Sequence, residues 1–456
     1  MKRLTSLLLL SLVVCDIWAC TAVIASGKAT TDGRPFIFKN RDSSDGINNS
    51  LLCLKGSKYY YMGVVNYSTS SSPTSIWYGH NEAGFAILNT VAYYVNSATS
   101  KANTSAGALM KKALGQCATV DEFEALLSLT QAQTSGVTLS TNFAVMDTLG
   151  NVAVFEASNR KYTKYDVNDP EVAPDGYLIR TNFSFSSPYY ETTNHVGEQR
   201  YKSAQKYISD TFGEGKIDPV RLAHELPRYL YHGTKQINLW DDLPADINDA
   251  RTTYFNNFIP RYTSTSASLI HGIKAGERPE ATVNWLAIGW PCGSLTVPIV
   301  LTPSRVLPEV VERAAGTFKS EMCTGALEFK KQVFTVYHSG TQNTDSIDLS
   351  KLINNTGNGI LQKTILADAE VESKGLPLME RWRSGEASDD DVAAFYTWVD
   401  TFWRRHYNAA MTSVNSIAAD NANADSSYYT LTGIRLPQRP SQPGIYINGL
   451  RKVVIR

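Results

Sequence analysis

Short runs of apolar and β-branched residues, bounded by turn residues and interrupted by blocks of helical spacing, constrain this chain more than any other feature. Cys20–Ser26 and Pro35–Lys39 flank the turn signal Asp32-Gly33 and predict an opening hairpin. A second strand-rich block covers Tyr59–Asn66 and Ser75–Tyr94, where Asn81-Glu82-Ala83-Gly84 turns the chain before Phe85–Asn89. Two helices follow, one over about Ala106–Gln116 and one starting at Thr119, where Thr119-Val120-Asp121-Glu122 fits a capping box ahead of Phe123, Leu126 and Leu127. Asn142–Asp147 and Val152–Glu156 form a hairpin around Thr148-Leu149-Gly150-Asn151, and Tyr177–Asn182 reads as another short strand. Helical stretches near Glu198–Phe212 and Pro219–Tyr231 separate these from two later sheet segments, Thr282–Ile288 and Leu295–Leu301. Strands in two groups with helices between them predict an α+β fold, layered αββα.

Beyond this body, about Asp368–Asp420 reads as helical. Ser388 precedes Asp389, Asp390 and Asp391 as an N-cap, and Val392, Phe395, Val399, Phe402, Trp403, Ala410, Val414 and Ile417 recur at helical spacing. Such a stripe is core or interface and is given no catalytic role. After the polar stretch Asn421–Ser427 comes a compact β tail built from Tyr429–Arg435, Gly444–Gly449 and Arg451–Arg456. It resembles the carboxy-terminal sorting tails of Gram-negative proteins exported by the type IX system. The chain therefore divides into 1–19, 20–420 with the extra C-terminal helices, and 421–456.

Residues 1–19 have the layout of a secretory leader: Lys2 and Arg3, the apolar run Leu4–Val14, and a short stretch ending on the small residue Ala19. An eleven-residue run is too short to span a bilayer, and no later run is an integral membrane segment. The expected product is exported, to the periplasm, the cell surface or the medium. Lys plus Arg and Asp plus Glu both number 43, so no global field draws in nucleic acid or anionic membrane. Of six cysteines, Cys15 leaves with the leader, and the odd count that remains flags one free thiol. Cys20 is the candidate, while Cys53, Cys117, Cys292 and Cys323 either pair in two disulfides or are simply buried. None is spaced as a CxxC pair, which argues against structural zinc.

Cleavage after Ala19 makes Cys20 the first residue, and a terminal thiol carries its own base, because an α-amine titrates near 7.7–8.0 and can take the thiol proton. No histidine is then needed, and the seven histidines of the chain lie in no familiar cysteine-protease signature. Cys20-Thr21, Gly27-Lys28-Ala29-Thr30-Thr31-Asp32-Gly33 and Lys39-Asn40-Arg41-Asp42-Ser43 resemble the opening of N-terminal nucleophile hydrolases that cut linear amides. The likenesses are to Ntn dipeptidases, to the choloylglycine hydrolase and penicillin V acylase group, and to the isopenicillin N acyltransferase-like group. The resemblance continues through Gly79–Ala86 to Asn89, through Asn142–Glu156, Arg180–Phe183 and Val283–Ala287, and so spans about residues 20–301.

Carried over, the resemblance implies a four-layer αββα fold, Cys20 as nucleophile with its amine as base, and Asp42 as the aspartate that holds that amine. Where relatives have arginine this chain has Lys39, with Arg41 two places later; on a strand both point to one face, so either cation can support the thiolate. The oxyanion donors implied are the backbone N–H of Asn89 and the side chain of Asn182, with Asn142 a third candidate. The choloylglycine group also has a later arginine near its site, for which Thr263–Ile270 offers no counterpart. Met322-Cys323-Thr324-Gly325 and Gly289-Trp290-Pro291-Cys292-Gly293 are decoys, since an internal cysteine has no free amine, and His224-Glu225 lacks the second histidine of HExxH. The expected function is hydrolysis of a small linear amide through an acyl-enzyme, with no cofactor and no metal. The alternatives are a dipeptidase, an acyltransferase, and a non-enzymatic protein lipidated on Cys20, for which Ile17-Trp18-Ala19-Cys20 is a poor lipobox. A homo-oligomer is compatible with the sequence but is not specified by it.

Overall fold

A computed structural model describes residues 20–43, 47–70, 72–97, 103–133, 135–413, 428–430, 435–436, 440, 444–448 and 451–455. The leader, the linker 421–427, and Val414 and Ile417 of the helical stripe lie outside the described residues.

The opening hairpin is β1 (Thr21–Ala25) and β2 (Phe36–Asp42), paired antiparallel with Thr21 opposite Asn40 and Ala22 opposite Lys39. Both strands are buried along their whole length, which explains their unbroken apolar reading: each lies inside the molecule with a layer on either face. Next come β3 (Asn49–Lys55), β4 (Tyr60–Asn66), β5 (Tyr78–Asn81) and β6 (Ala86–Val91). Then follow helices α1 (Ala106–Gln116) and α2 (Val120–Gln131), and strands β7 (Thr141–Met146), β8 (Val152–Ala157) and β9 (Tyr162–Asp166). These seven strands form one antiparallel sheet in sequence order, β3 to β9. The predicted cap of α2 is present, with the Thr119 side chain accepting from Glu122 N.

The second sheet gathers distant segments: β10 (Tyr177–Arg180), β1, β2, β14 (Ser264–His271), β15 (Val283–Ile288) and β16 (Thr296–Val300), in that spatial order. Between β10 and β14 the chain passes through α3 (Glu198–Phe212), α4 (Pro219–Glu225), the short ladder of β11 (Tyr231–His232) with β12 (Ile237–Asn238), and β13 (Thr252–Tyr254). After β16 come α5 (Glu321–Val333), the ladder of β17 (Tyr337–His338) with β18 (Thr341–Gln342), β19 (Ser346–Asp348), which pairs with β13, and the helices α6 (Leu349–Leu352), α7 (Ile360–Ser384) and α8 (Asp389–Ser413). The tail strands β20 (Tyr428–Thr430), β21 (Arg435–Leu436), β22 (Gly444–Asn448) and β23 (Arg451–Ile455) form a separate four-stranded sheet.

The two large sheets face each other, with β1 and β2 against β6, β7 and β8; α1 and α2 cover the outer face of the seven-stranded sheet, and α3, α4 and α7 that of the six-stranded one. This is the expected αββα order. One core fills the space between the sheets and beneath α3 to α8; a second, with Phe123 against Phe85, Phe143 and Phe155, lies under α1 and α2. Among the described residues no helix is long and apolar enough to cross a membrane.

Several expectations need correction. The helix expected over Pro219–Tyr231 ends at Glu225 and tightens into a 3-10 turn at Leu226–Arg228 holding Pro227, whose ring and missing N–H cannot continue an α-helix; Tyr231 belongs to β11. The helical block expected from Asp368 begins at Ile360 and is broken by Gly385, which takes the left-handed conformation at φ 79°. The disulfide alternative is excluded among the described residues: Cys20, Cys53, Cys117, Cys292 and Cys323 are all free.

Candidate active site

Cys20 stands immediately before β1 and is buried. Register and alternation sort the residues around it onto two faces. Lys39, Arg41 and Cys20 turn toward the seven-stranded sheet. Thr21, Asn40 and Asp42 turn outward, toward α3 and the segment before β14.

On the inner face, Lys39 Nζ donates to Asn89 Oδ1 at 2.9 Å and Trp77 O at 3.2 Å, and stands 5.7 Å from the Tyr78 ring centroid. Burial lowers its pKa to about 8; the charge of a Cys20 thiolate opposes that fall and the neighbouring Arg41 adds to it. Arg41 donates to Asn49 Oδ1, Thr265 Oγ1, Ser43 Oγ and Asn66 Oδ1, and lies 4.9 Å from the Trp77 ring centroid. Burial lowers its pKa too, with the Cys20 charge again opposing. Of the two cations left open by the sequence, then, both lie within the electrostatic reach of the thiol.

On the outer face, the Asp42 carboxylate accepts from Arg261 Nε at 2.9 Å, Ser264 Oγ at 2.6 Å and Asn40 Nδ2 at 3.3 Å, and its backbone oxygen lies 3.9 Å from Cys20 Sγ. The bond observed from Cys20 N runs not to Asp42 but to Asn182 Oδ1, at 2.8 Å. Asn182, two residues past β10, is held from every side: N to Val196 O, O to Tyr93 N, and Nδ2 to Val91 O at 3.1 Å. Asn89 comes to the site through Lys39, with its Nδ2 on Thr141 Oγ1. Asn142 is buried with Nδ2 on Thr90 Oγ1 and Oδ1 without a hydrogen-bond partner, and no described bond ties it to Cys20, Lys39, Asp42 or Asn182.

Two arginines escaped the sequence reading. Arg261, two residues before the window Thr263–Ile270, donates from Nε to Asp42 Oδ2 at 2.9 Å. Arg200, fully buried in the first turn of α3, donates from Nη1 to Cys20 O and to Thr21 Oγ1 at 3.1 Å, and from Nη2 to Asn182 Oδ1 at 2.9 Å. Its stretch Glu198-Gln199-Arg200-Tyr201-Lys202 reads as a solvated helix start, which hides a buried charge. The other thiols are placed as inert groups: burial pushes Cys53 up to about 11, Cys117 to about 12 and Cys323 to about 11, and raises Cys292 as well.

Residues 29–213 match the family model described as acyl-coenzyme A:6-aminopenicillanic acid acyl-transferase. No curated protein sequence matches the chain. Among solved structures, the penicillin V acylase of Agrobacterium tumefaciens is 13% identical, covering 62% of this chain and 86% of its own, with a TM-score of 0.36. A variant of the conjugated bile acid hydrolase of Clostridium perfringens is 11% identical, covering 62% and 92%, also at 0.36. The Caenorhabditis elegans ortholog of N-acylethanolamine-hydrolyzing acid amidase is 15% identical, covering 41% and 77%, at 0.29. The chain is thus an α+β protein in which two antiparallel sheets face each other between helical layers, and residues 29–213 are similar to the acyl-coenzyme A:6-aminopenicillanic acid acyl-transferase family model.

Proposed function

We propose that this chain is an exported cysteine amidohydrolase, matured by removal of residues 1–19, that cuts a small linear amide of the N-acyl amino acid or conjugated-amide type through an acyl-enzyme on Cys20. The observation that carries the reading is the meeting at one buried point of the Cys20 nitrogen, the Asn182 amide and two inward-facing cations.

The freed α-amine takes the thiol proton, and Sγ attacks the substrate carbonyl carbon. The oxygen of the tetrahedral intermediate takes a negative charge. The second hydrogen of Asn182 Nδ2, the first being on Val91 O, is the side-chain donor for it, together with the Asn89 N–H. Collapse breaks the C–N bond, and the leaving amine takes the proton from the α-ammonium, leaving a thioester. Water, deprotonated by the α-amine, attacks that thioester and returns the acid and the thiol. Asp42 holds the outer side of the site through Arg261 and Ser264, which keeps β2 and the segment before β14 in place beside the nucleophile.

The family-model match favours a second reading, in which an amine rather than water takes the acyl group. Intact mass of the exported protein tests the first requirement, a chain that begins at Cys20 with no lipid. Cys20→Ala and Cys20→Ser are then assayed against N-acyl amino acids, conjugated bile salts, penicillin V and dipeptides, with and without an added amine acceptor. Activity surviving in Cys20→Ala, or a lipidated Cys20, sinks the reading; amide product formed at the expense of acid selects the transferase.

A further inference from the structure

Arg200 sits where helix energetics would not put it. It occupies the first turn of α3, where the helix dipole favours anions over cations, and it is fully buried. Burial lowers its pKa to about 10, with Arg261 adding to the fall and Asp42 and Cys20 opposing it. Its Nε has no hydrogen-bond partner among the described residues, so the guanidinium is oriented by its two terminal nitrogens alone. All three of the bonds they make go to Cys20, Thr21 and Asn182. The backbone makes room for this: Gly197, at φ 88°, caps α3, and a Cβ there would overlap Arg200 Nη2.

The consequence for Asn182 follows from donor and acceptor chemistry. A guanidinium nitrogen only donates. Asn182 Oδ1 accepts from both Arg200 Nη2 and Cys20 N, whereas the flipped amide would set NH2 against two donors. Arg200 therefore fixes which way the amide points and keeps Nδ2 on the side of Val91 O and the vacant donor direction. Its charge acts on Cys20 as well. A cation bonded to the Cys20 carbonyl lies beside the α-nitrogen and disfavours a second positive charge there.

We propose that Arg200 is a positioning residue for the amide-cleaving site, orienting the Asn182 amide through Nη2 and holding the terminal amine of Cys20 in its free-base form through the bond to the Cys20 carbonyl. This rests on the reading of Cys20 as a terminal nucleophile.

The test uses the mature protein and its Arg200→Lys and Arg200→Gln variants. The rate of Cys20 alkylation by iodoacetamide, located by mass spectrometry, is followed against pH, alongside kcat and KM for an amide that the wild type accepts. Arg200→Gln, which keeps a donor but no charge, is expected to move the alkylation midpoint and the acid limb of kcat/KM up by about one pH unit. Arg200→Lys, which keeps the charge but loses the fork, is expected to leave the midpoint in place and lower kcat by about tenfold or more at unchanged KM. A purely structural arginine gives the reverse of this split: unchanged midpoints in both variants, with losses that track thermal stability. That result overturns the proposal, as does a wild-type kcat in Arg200→Lys. Should Arg200→Gln not fold, the kcat of Arg200→Lys decides. Alkylation does not depend on turnover, so a Cys20→Ala protein that stays active refutes the nucleophile without touching the Arg200 midpoint shift. An inactive Cys20→Ala with unmoved Arg200 profiles refutes only the inference drawn from Arg200.

Discussion

The thiol's inner neighbour is a lysine, and a lysine can lose its charge where an arginine cannot. Burial brings Lys39 down to about 8, so its cation is present below that pH and fades above it. Support of the Cys20 thiolate by Lys39 should therefore fail on the alkaline side. The expected profile of kcat/KM falls as pH rises past about 8 in the wild type and holds through pH 9 in Lys39→Arg. Lys39→Met should lose about tenfold at neutral pH, the cost of removing a buried cation from beside the thiolate. Superimposable alkaline limbs in wild type and Lys39→Arg would remove Lys39 from the mechanism and leave Arg41 to the thiol. Gly197 makes a second test at this scale. Gly197→Ala combines a left-handed φ with overlap on Arg200, so urea denaturation should show a loss of about 1–3 kcal/mol, accompanied by a fall in kcat that a remote destabilisation of equal size does not reproduce.

Elements were legible in the sequence where local pattern and tertiary role agree. α1 and α3 run over the residues that their periodicity predicts, and the Thr119 cap holds, because each is a surface helix with one apolar face. α2 carries that logic to a prediction: Phe123→Ala removes the ring shared by Phe85, Phe143 and Phe155 and should cost about 3–5 kcal/mol in chemical denaturation while leaving kcat unchanged, since this second core lies on the far side of the sheet from Cys20. The elements that escaped are those whose residues answer to neighbours rather than to period. β14 reads Ser-Thr-Ser-Ala-Ser-Leu-Ile-His, too polar for a buried strand, yet it is buried throughout, with Ser268 Oγ bonded to Asn284 Oδ1 and Ser264 Oγ to Asp42 within the sheet. α5 has glycine at its centre. Gly325 is there because any Cβ would press on the Trp403 and Tyr407 rings of α8, a contact no local pattern contains. The same division runs through the site: Cys20, Lys39, Arg41 and Asp42 were readable as one contiguous opening, whereas Arg200 and Arg261 reach it only through the crossing of α3 and the approach to β14.

At the scale of the whole molecule, the layer outside the six-stranded sheet is secured by buried charge as well as by apolar packing. Asp368 of α7 accepts Thr296 N of β16 at 2.5 Å, Arg228 Nη1 at 2.6 Å and His224 Nδ1 of α4 at 2.5 Å, so one carboxylate ties α7 and α4 to the sheet. Burial opposes the charge on Asp368, yet Arg228 and His224 hold it at about 2, below the ordinary 3.8. Burial likewise opposes a charged His224, yet Asp368 and Glu372 hold it above the ordinary 6.5. The signs give a window. A depressed carboxylate contributes its stabilisation in full above 3.8 and loses it as pH falls through about 2. A raised histidine contributes in full below 6.5 and loses its share as pH rises through its folded value. The interaction is therefore complete between about pH 4 and 6.5 and weakens on both sides. Asp368→Asn leaves the Arg228 guanidinium buried without its counter-charge, and should cost about 3–5 kcal/mol at pH 5.5. Urea denaturation of both proteins from pH 3 to pH 8 checks this. The stability difference between them should be largest inside the window and shrink toward both ends. A difference that stays constant with pH would mean that Asp368 acts through hydrogen bonding and packing alone, and that the charges of His224 and Arg228 contribute nothing to holding this layer on the sheet.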